Sequence, residues 1–280
     1  MNELFFIYNG HFFRVGDPVI SAGNRSLRYG DGLFETMRMH NGKIINVDFH
    51  FERLFSGMKI LQIEAPKLFS EEFLLTSVNG LLRKNSHLEN ARIRLMVFRN
   101  GGSGIFDSEN NSPDYIIETW PLQEKIELSE NGLVVDVFAD AKKSCDQFSN
   151  LKSNNYLASV MAGLFAKKNK LNDAILLNVF GRVCESAIAN IFIIKDDNIY
   201  TPSLSEGCVA GVMRRWMLEK FSLKNYIVTE RNLSIDDLIE ADEFFLTNAI
   251  HPVRWVKNLR EKTYGNGKAT EIFEYVLQHI

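Results

Sequence analysis

Leu151-Lys152-Ser153-Asn154-Asn155-Tyr156 sets a single lysine between an extended apolar stretch and a long helical pattern, flanked by small and amide residues. A lysine at a strand end can project into a cleft, and partial desolvation frees its amine to act as a nucleophile. In a chain with 32 basic residues, the plain reading of any one of them is a solvated surface charge. Two downstream stretches change that weighting. Arg182-Val183-Cys184-Glu185-Ser186-Ala187-Ile188-Ala189-Asn190-Ile191-Phe192 embeds one carboxylate among apolar and small residues, where a charge is seldom buried without a partner. Glu206-Gly207-Cys208-Val209-Ala210-Gly211-Val212-Met213-Arg214-Arg215 is then a glycine-punctuated turn opening a helix. A helix start offers amide donors and the positive end of a dipole to an anion. No Gly-Lys-Ser/Thr comes after it and the glycines do not space as GxGxxG, so neither a P-loop nor a dinucleotide fingerprint is present.

A nucleophilic lysine, a lone carboxylate and an anion-binding helix start are the parts that a pyridoxal phosphate site needs. The carboxylate holds the pyridine ring protonated, which makes the ring an electron sink. Each part also has a plainer reading. Glu185 would otherwise cap a turn or pair with Arg182, and the glycine stretch would be an ordinary loop before a helix.

The whole chain restricts the alternatives. Its 280 residues suffice for one large domain or two of ordinary size with a proper core. A formal net charge of −3 and the lack of any Lys/Arg-rich run give no support to nucleic-acid or membrane-surface binding. Cys145, Cys184 and Cys208 are odd in number and lack paired or zinc-site spacing, so neither a disulfide framework nor a zinc site is expected. No signal peptide is read at Met1-Asn2-Glu3-Leu4-Phe5-Phe6, and no eighteen apolar residues run together as a membrane span. The expectation is a soluble cytoplasmic protein.

In chain order, apolar runs at 4–8 and 11–15 flank Asn9-Gly10, a hairpin signal repeated at Asn41-Gly42. Residues 26–32 read as a turn before a strand, Leu33 to Met39. Helical spacing of Phe51, Leu54, Phe55, Met58 and Leu61 predicts a helix from Val47, capped by Asp48. A second helix, capped by Ser70, runs to Lys84, followed by strands at 91–99 and 115–119 and a flexible loop at Gly101-Gly102-Ser103-Gly104 between them. This mixture predicts a small α+β N-terminal domain, 1–120, and a polar linker, 121–131. The larger domain, 132–280, would hold strands at 133–139, 174–178, 188–195, 199–201, 227–230 and 243–247. Its helices would lie at 156–167, with Leu157, Val160, Met161, Leu164 and Phe165 on one face, at 212–221, and at 235–239 capped by Ser234.

Taken in order, several stretches carry a family resemblance. They are Tyr29-Gly30-Asp31-Gly32-Leu33-Phe34-Glu35-Thr36; His50-Phe51-Glu52-Arg53-Leu54; Leu151-Lys152 with Asn155-Tyr156; Glu185 with Ala189-Asn190-Ile191-Phe192; Gly211-Val212-Met213-Arg214; and Ala241-Asp242-Glu243-Phe244-Phe245-Leu246-Thr247-Asn248-Ala249-Ile250-His251-Pro252-Val253. Over nearly the whole chain they resemble the class IV aminotransferases, the fold-type IV pyridoxal phosphate enzymes. That family includes branched-chain and D-amino acid aminotransferases and 4-amino-4-deoxychorismate lyases. The resemblance implies a two-domain fold of α+β and α/β character, like that of D-amino acid aminotransferase, whose larger C-terminal domain has a mixed, barrel-like sheet with helices. It also implies pyridoxal 5'-phosphate, a small-molecule amino-group substrate and a homodimer.

Residue by residue, the resemblance implies that Lys152 carries the cofactor covalently and then shuttles a proton. Glu185 would bind the pyridine nitrogen and Tyr156 the phenolic oxygen. Arg53, the amides of Val212 and Met213, and the Thr247 hydroxyl would hold the phosphate, which suits an arginine fork and a helix start. Tyr29, Arg94 and Arg99 would face the substrate. The plain alternatives are an ion pair of Arg53 with Glu52 or Asp48, a strand hydroxyl at Thr247, a core residue at Tyr156, and solvated charges at Arg94 and Arg99. Phe34-Glu35-Thr36 and Thr247-Asn248-Ala249-Ile250 resemble the lyases, giving Thr36 and Asn248 catalytic positions, whereas Asn155-Tyr156 also resembles the transaminases. The expected activity is the lyase of folate biosynthesis, which releases 4-aminobenzoate and pyruvate; an amino acid transaminase is the alternative.

Overall fold

Two Asn-Gly pairs set the frame of the first half. In the structure, a computed structural model describing residues 3–101, 104–105, 111–122, 125–221 and 226–280, Asn9 (φ 48°) and Gly10 (φ 82°) join strands β1 (Phe5–Tyr8) and β2 (His11–Arg14). Positive φ at both central residues is the geometry of the favoured two-residue hairpin turn. Residues 26–32 are not simply a turn: they include most of a short helix, α1 (Arg25–Tyr29), started by Asn24 and stopped by Gly30 at φ 69°. Asn41-Gly42 then turns β3 (Gly32–His40) into β4 (Lys43–Ile44).

Helix α2 (Val47–Ile60) buries Phe51, Leu54 and Met58, as their spacing predicts. Its cap differs from expectation. Asn46, in the left-handed region, precedes the helix without a side-chain cap bond, and Asp48 lies in the first turn, where its charge suits the dipole. Helix α3 (Glu71–Lys84) is capped as expected, Ser70 Oγ accepting from Phe73 N at 3.2 Å. With β5 (Ala91–Arg99) and β6 (Pro113–Pro121) the strands form an antiparallel sheet in the order β2-β1-β6-β5-β3-β4, and α2 and α3 pack on it. Gly102 and Ser103 of the expected loop, and Gln123 and Glu124 of the expected linker, lie outside the described residues.

The chain divides into two compact units, Met1–Lys125 with Lys152–Asn155, and Ile126–Leu151 with Tyr156–Ile280. The four-residue strip around the lysine is thus part of the first unit, although second-unit residues flank it in sequence. Phe34 N donates to Lys152 O and Asn154 N to Gly32 O, each at 2.9 Å, and Ser153 bridges antiparallel to Leu33. Gly32 permits this close approach, since a Cβ there would stand 2.7 Å from both Asn154 Nδ2 and Phe98 Cβ.

The second unit begins with β7 (Leu133–Lys143), four residues longer than the strand expected at 133–139. Helix α4 (Leu157–Lys168) buries Ser159, Ala162 and Ala166, small residues that let it sit close to Phe138, Ala174 and Leu176. Of the apolar stripe picked out by periodicity, Phe165 packs on this core, its ring 5.5 Å from that of Phe138, but Leu157, Val160, Met161 and Leu164 point the other way and are 70%, 52%, 44% and 55% exposed. Strands β8 (Asp173–Asn178), β9 (Val183–Ser186), β10 (Asn190–Lys195) and β11 (Asn198–Pro202) come after it. Next are α5 (Val212–Phe221), β12 (Val228–Arg231), α6 (Ile235–Glu240), which carries the Ser234 cap, and β13 (Glu243–Thr247).

No element is expected from the sequence beyond β13, yet the chain goes on to β14 (Arg254–Leu259), β15 (Lys262–Thr263) and α7 (Gly267–His279). The sheet runs β12-β11-β10-β13-β14-β7-β8-β9, with β15 on β14, and curls as a half-barrel. Pairing is parallel at β11–β12, β14–β7 and β7–β8 and antiparallel elsewhere, so the sheet is mixed. Its core joins Val135, Ile175, Ile191, Ile193, Phe244, Leu246 and Val256 with Leu238 of α6.

Candidate active site

The expected site residues fall into two sets, one in each unit. In the first unit, strand alternation sends Phe34 and Thr36 to one face of the sheet and Glu35 to the other. Thr36 pairs directly with Arg94, and Arg94 with Glu118, so the three share a face. Lys152 is half-buried, its amine 4.5 Å from the centre of the Phe34 ring, and the Arg94 guanidinium stands 4.2 Å from the same ring. The structure therefore brings Lys152, Thr36 and Arg94 together around Phe34.

On the opposite face Glu35 is buried against α2. Arg53 Nε donates to Glu35 Oε1 at 2.8 Å and Nη2 to Oε2 at 2.5 Å, while His50 Nδ1 meets Oε2 at 2.6 Å. Arg53 is thus paired with Glu35, a partner that the sequence did not suggest. Burial alone would raise the Glu35 pKa, but Arg53 and His50 outweigh it and hold the carboxyl at about 2. Burial pulls His50 down; Glu35 opposes this, and the charges of Arg53 and Lys152 add to it. From the sequence, Glu35 and His50 stand out only as parts of a motif. No local signal reveals that a strand residue and a helix residue share one buried carboxylate.

Two further expected substrate contacts, Arg99 and Tyr29, lie on β5 and α1. Arg99 directs Nε and Nη2 to Asp31, Nη2 also to Leu61 O, and Nη1 to Gln62 O and Asn111 Oδ1. A guanidinium has five N–H donors, and here each has an acceptor, so Arg99 ties a loop together and has no donor left for a substrate carboxylate. Tyr29 lies exposed on α1, its ring 5.6 Å from the Arg25 guanidinium.

In the second unit Glu185 sits in β9, 3% exposed. Its Oε2 accepts from Val209 N at 2.8 Å and its Oε1 accepts from Lys143 Nζ. Arg182, the plain partner suggested by sequence, instead grips Glu206 through Nε and Nη2. Lys143 was not anticipated. It ends β7, and burial would lower its pKa, but the Glu185 carboxylate more than compensates and holds it up at about 12.

Asn190 Nδ2 donates to Val209 O at 2.9 Å, which fixes the loop leading into α5. A side chain on Gly211 would collide with Asn190 Oδ1, so the backbone passes the amide only because that residue is glycine. Val212 and Met213, both buried, then open the helix. Thr247 pairs with Asn190 across β13 and β10, and among the described residues nothing bonds its buried Oγ1. A buried hydroxyl without a partner costs about 1–3 kcal/mol, which is resolved if a ligand oxygen meets it. Tyr156 is half-buried at the start of α4.

Asn248, expected in a catalytic position, stands in the turn after β13. Its Oδ1 accepts from Ile250 N at 3.0 Å and His251 N at 2.8 Å, closing the turn after Thr247. Among the described residues no group of three His, Cys, Asp or Glu side chains is placed to hold a metal ion. The polar groups of this unit fit a phosphorylated pyridine ring: an ion-paired carboxylate that can accept from a ring N–H, and a helix start with an unpartnered hydroxyl that can donate to a phosphate.

Comparison with known proteins gives the same picture. The family model for class IV amino-transferases matches residues 32–259. The chain is 30% identical over 275 residues to an aminodeoxychorismate lyase of Bacillus subtilis (strain 168), covering 95% of this chain and 91% of the relative. It is 26% identical over 280 residues to the branched-chain-amino-acid aminotransferase of Escherichia coli (strain K12), covering 97% and 90%. Its fold superposes on a T.th. branched-chain amino acid aminotransferase with pyridoxamine 5'-phosphate at a TM-score of 0.87 and 23% identity, covering 99% and 94%.

Proposed function

The chain belongs to the class IV amino-transferase family and is an enzyme of lyase or transaminase type, and on that premise we propose a pyridoxal 5'-phosphate-dependent lyase that cleaves 4-amino-4-deoxychorismate into 4-aminobenzoate and pyruvate. The observation that carries this reading is the cluster of Lys152, Thr36 and Arg94 around Phe34. It puts an amine, a hydroxyl and a cation on one sheet face, which suits an acidic substrate whose three-carbon fragment must be protonated as it leaves.

The second-unit donors support the cofactor assignment. When bound, pyridoxal 5'-phosphate supplies an electron sink for the bond broken at the substrate carbon. Glu185 would take the ring nitrogen and Tyr156 the phenolic oxygen. Arg53, the amides of Val212 and Met213, and the Thr247 hydroxyl would take the phosphate, with Glu35 keeping the Arg53 fork in one orientation. Lys152 would hold the cofactor, yield it to the substrate amine, then remove a proton from the substrate and return one. Thr36 would pass a proton to the departing fragment, and Arg94 would receive a carboxylate. Asn248 would act by holding the Thr247 turn.

A transaminase remains the second reading because Tyr156, which resembles the transaminases, sits where it supports either reaction. Incubating the purified protein with aminodeoxychorismate is expected to yield 4-aminobenzoate and pyruvate. Absence of both, with transfer of the amino group to a keto acid, would replace the lyase by the transaminase.

The cytoplasm is the proposed location, and among the described residues no helix is long and apolar enough to cross a membrane. A homodimer is the proposed assembly. The exposed stripe Leu157, Val160, Met161 and Leu164 on α4 supports it, since such a patch is costly to leave in water. Sedimentation is expected to give a dimer for the wild type and a monomer for Leu157→Glu/Leu164→Glu; a wild-type monomer removes this part of the proposal.

A further inference from the structure

Lys143 is a buried charge that the proposed reaction does not use. Its side chain is 15% exposed at the end of β7, and its amine is committed to Glu185 Oε1 while Val209 N holds Oε2. The Glu185 carboxylate outweighs the effect of burial, and the amine, held up at about 12, stays charged at neutral pH. Ordinary lysines keep their ammonium in water, because burying one costs several kcal/mol unless a partner compensates. Here the partner is the carboxylate assigned to the ring nitrogen, and a neighbour is the tyrosine assigned to the phenolic oxygen.

Each carboxylate oxygen offers two acceptor positions. Glu185 can therefore accept from Lys143 and Val209 and still accept from a ring N–H. When a proton is shared between a pyridine nitrogen and a carboxylate, it stays on the stronger base. A carboxylate that already accepts from an ammonium and an amide is the weaker base. Without the ammonium, the same buried carboxylate is poorly solvated and competes for the proton. The ammonium also repels a ring cation, but its effect on the carboxylate acts through a direct hydrogen bond and is the larger of the two.

We propose that Lys143 is a positioning residue that acts through Glu185, keeping the shared proton on the cofactor's ring nitrogen and so setting the strength of the electron sink. This rests on the pyridoxal phosphate reading given above. No bond other than the shared N–H···O is altered, and the proton is only relocated within it.

The test uses the full chain loaded with pyridoxal 5'-phosphate labelled with 15N in the ring. The ring-nitrogen signal at neutral pH is expected at the pyridinium position in the wild type and in Lys143→Arg, which keeps the charge. In Lys143→Met it is expected to shift toward the neutral pyridine position. Lys143→Gln, which keeps a donor without the charge, is expected to shift likewise and serves if the methionine variant does not fold. A signal in the neutral variants that stays at the wild-type position overturns the proposal, as does an arginine variant that shifts with them. Borohydride reduction and peptide mapping of the wild type come first. A reduced adduct on Lys152 upholds the cofactor reading independently of Lys143, and no adduct overturns that reading itself.

Discussion

Lys152→Ala is expected to abolish turnover, with a loss of at least about 10³-fold, because in the proposed reaction one side chain would supply both the covalent attachment and the proton transfer. The absorbance band of the bound cofactor and its borohydride-reducible adduct are expected to vanish with it. The fold should survive. Lys152 contributes a backbone carbonyl to Phe34 N, which alanine retains, and a cation–ring contact with Phe34. Such a contact is worth about 0.5–1 kcal/mol at a partly exposed position, small beside the stability of a domain. Compared with cofactor-free wild type, which removes the stabilisation that a bound cofactor adds, the variant should therefore give an unchanged circular dichroism spectrum and an almost unchanged unfolding midpoint. A variant that keeps the reducible adduct would move the covalent attachment to another lysine and end the case for Lys152.

Glu35→Gln is expected to destabilise the first unit strongly, by about 3 kcal/mol. It removes the charge that Arg53 and His50 share in a site where Glu35 is 2% exposed, and breaking a buried pair on one side costs about 3–5 kcal/mol. Arg53 is 14% exposed and regains some hydration, which favours the lower end. Denaturant unfolding at neutral pH measures this loss, and one below about 1 kcal/mol would show the cluster to be incidental.

The pH dependence has a definite sign. The Glu35 carboxyl titrates at about 2 in the folded protein and near 4.5 when unfolded. Between those values the unfolded chain binds a proton that the folded chain does not, so stability rises with pH across the window. The contribution is complete above 4.5, is lost as pH falls toward 2, and amounts to about 3 kcal/mol from the usual conversion of a pKa difference. His50, held below its ordinary value by burial, acts in the same direction as pH falls below 6.5. Glu35→Gln is expected to flatten the acid limb of the stability curve below 4.5 relative to wild type.

What was legible in the sequence was mostly local. Asn9-Gly10 and Asn41-Gly42 specify their hairpins because the positive φ they need is a property of those two residues alone. The Ser70 and Ser234 caps are equally local, each bonding an amide three residues on. Periodicity on α4 placed Phe165 with residues that face outward; the sheet is met by Phe165 together with Ser159, Ala162 and Ala166, which are too small to register as a stripe. Helix α7 does carry a signal past Thr247, with Ala269, Ile272, Phe273 and Val276 at helical spacing. The pairing of Lys143 with Glu185 spans 42 positions and the attachment of Lys152 to Phe34 spans most of the first unit, so neither leaves a trace in any short window. Glu185 itself was legible because a carboxylate in an apolar run is conspicuous, but the reason it can stay there is not.

The alternation along β3 has a consequence for how such an enzyme can diversify. Residue 35 is clamped to α2, and its neighbours 34 and 36 look out on the face that holds Lys152 and Arg94. On the proposed function, substrate preference and phosphate anchoring would therefore be written on alternate letters of one strand. Random libraries at 34 and 36 should yield many folded proteins with altered selectivity, while a library at 35 should yield few. A one-residue deletion in the strand would exchange the two alphabets at once, so new specificities on this scaffold are reached by point substitution and not by slippage.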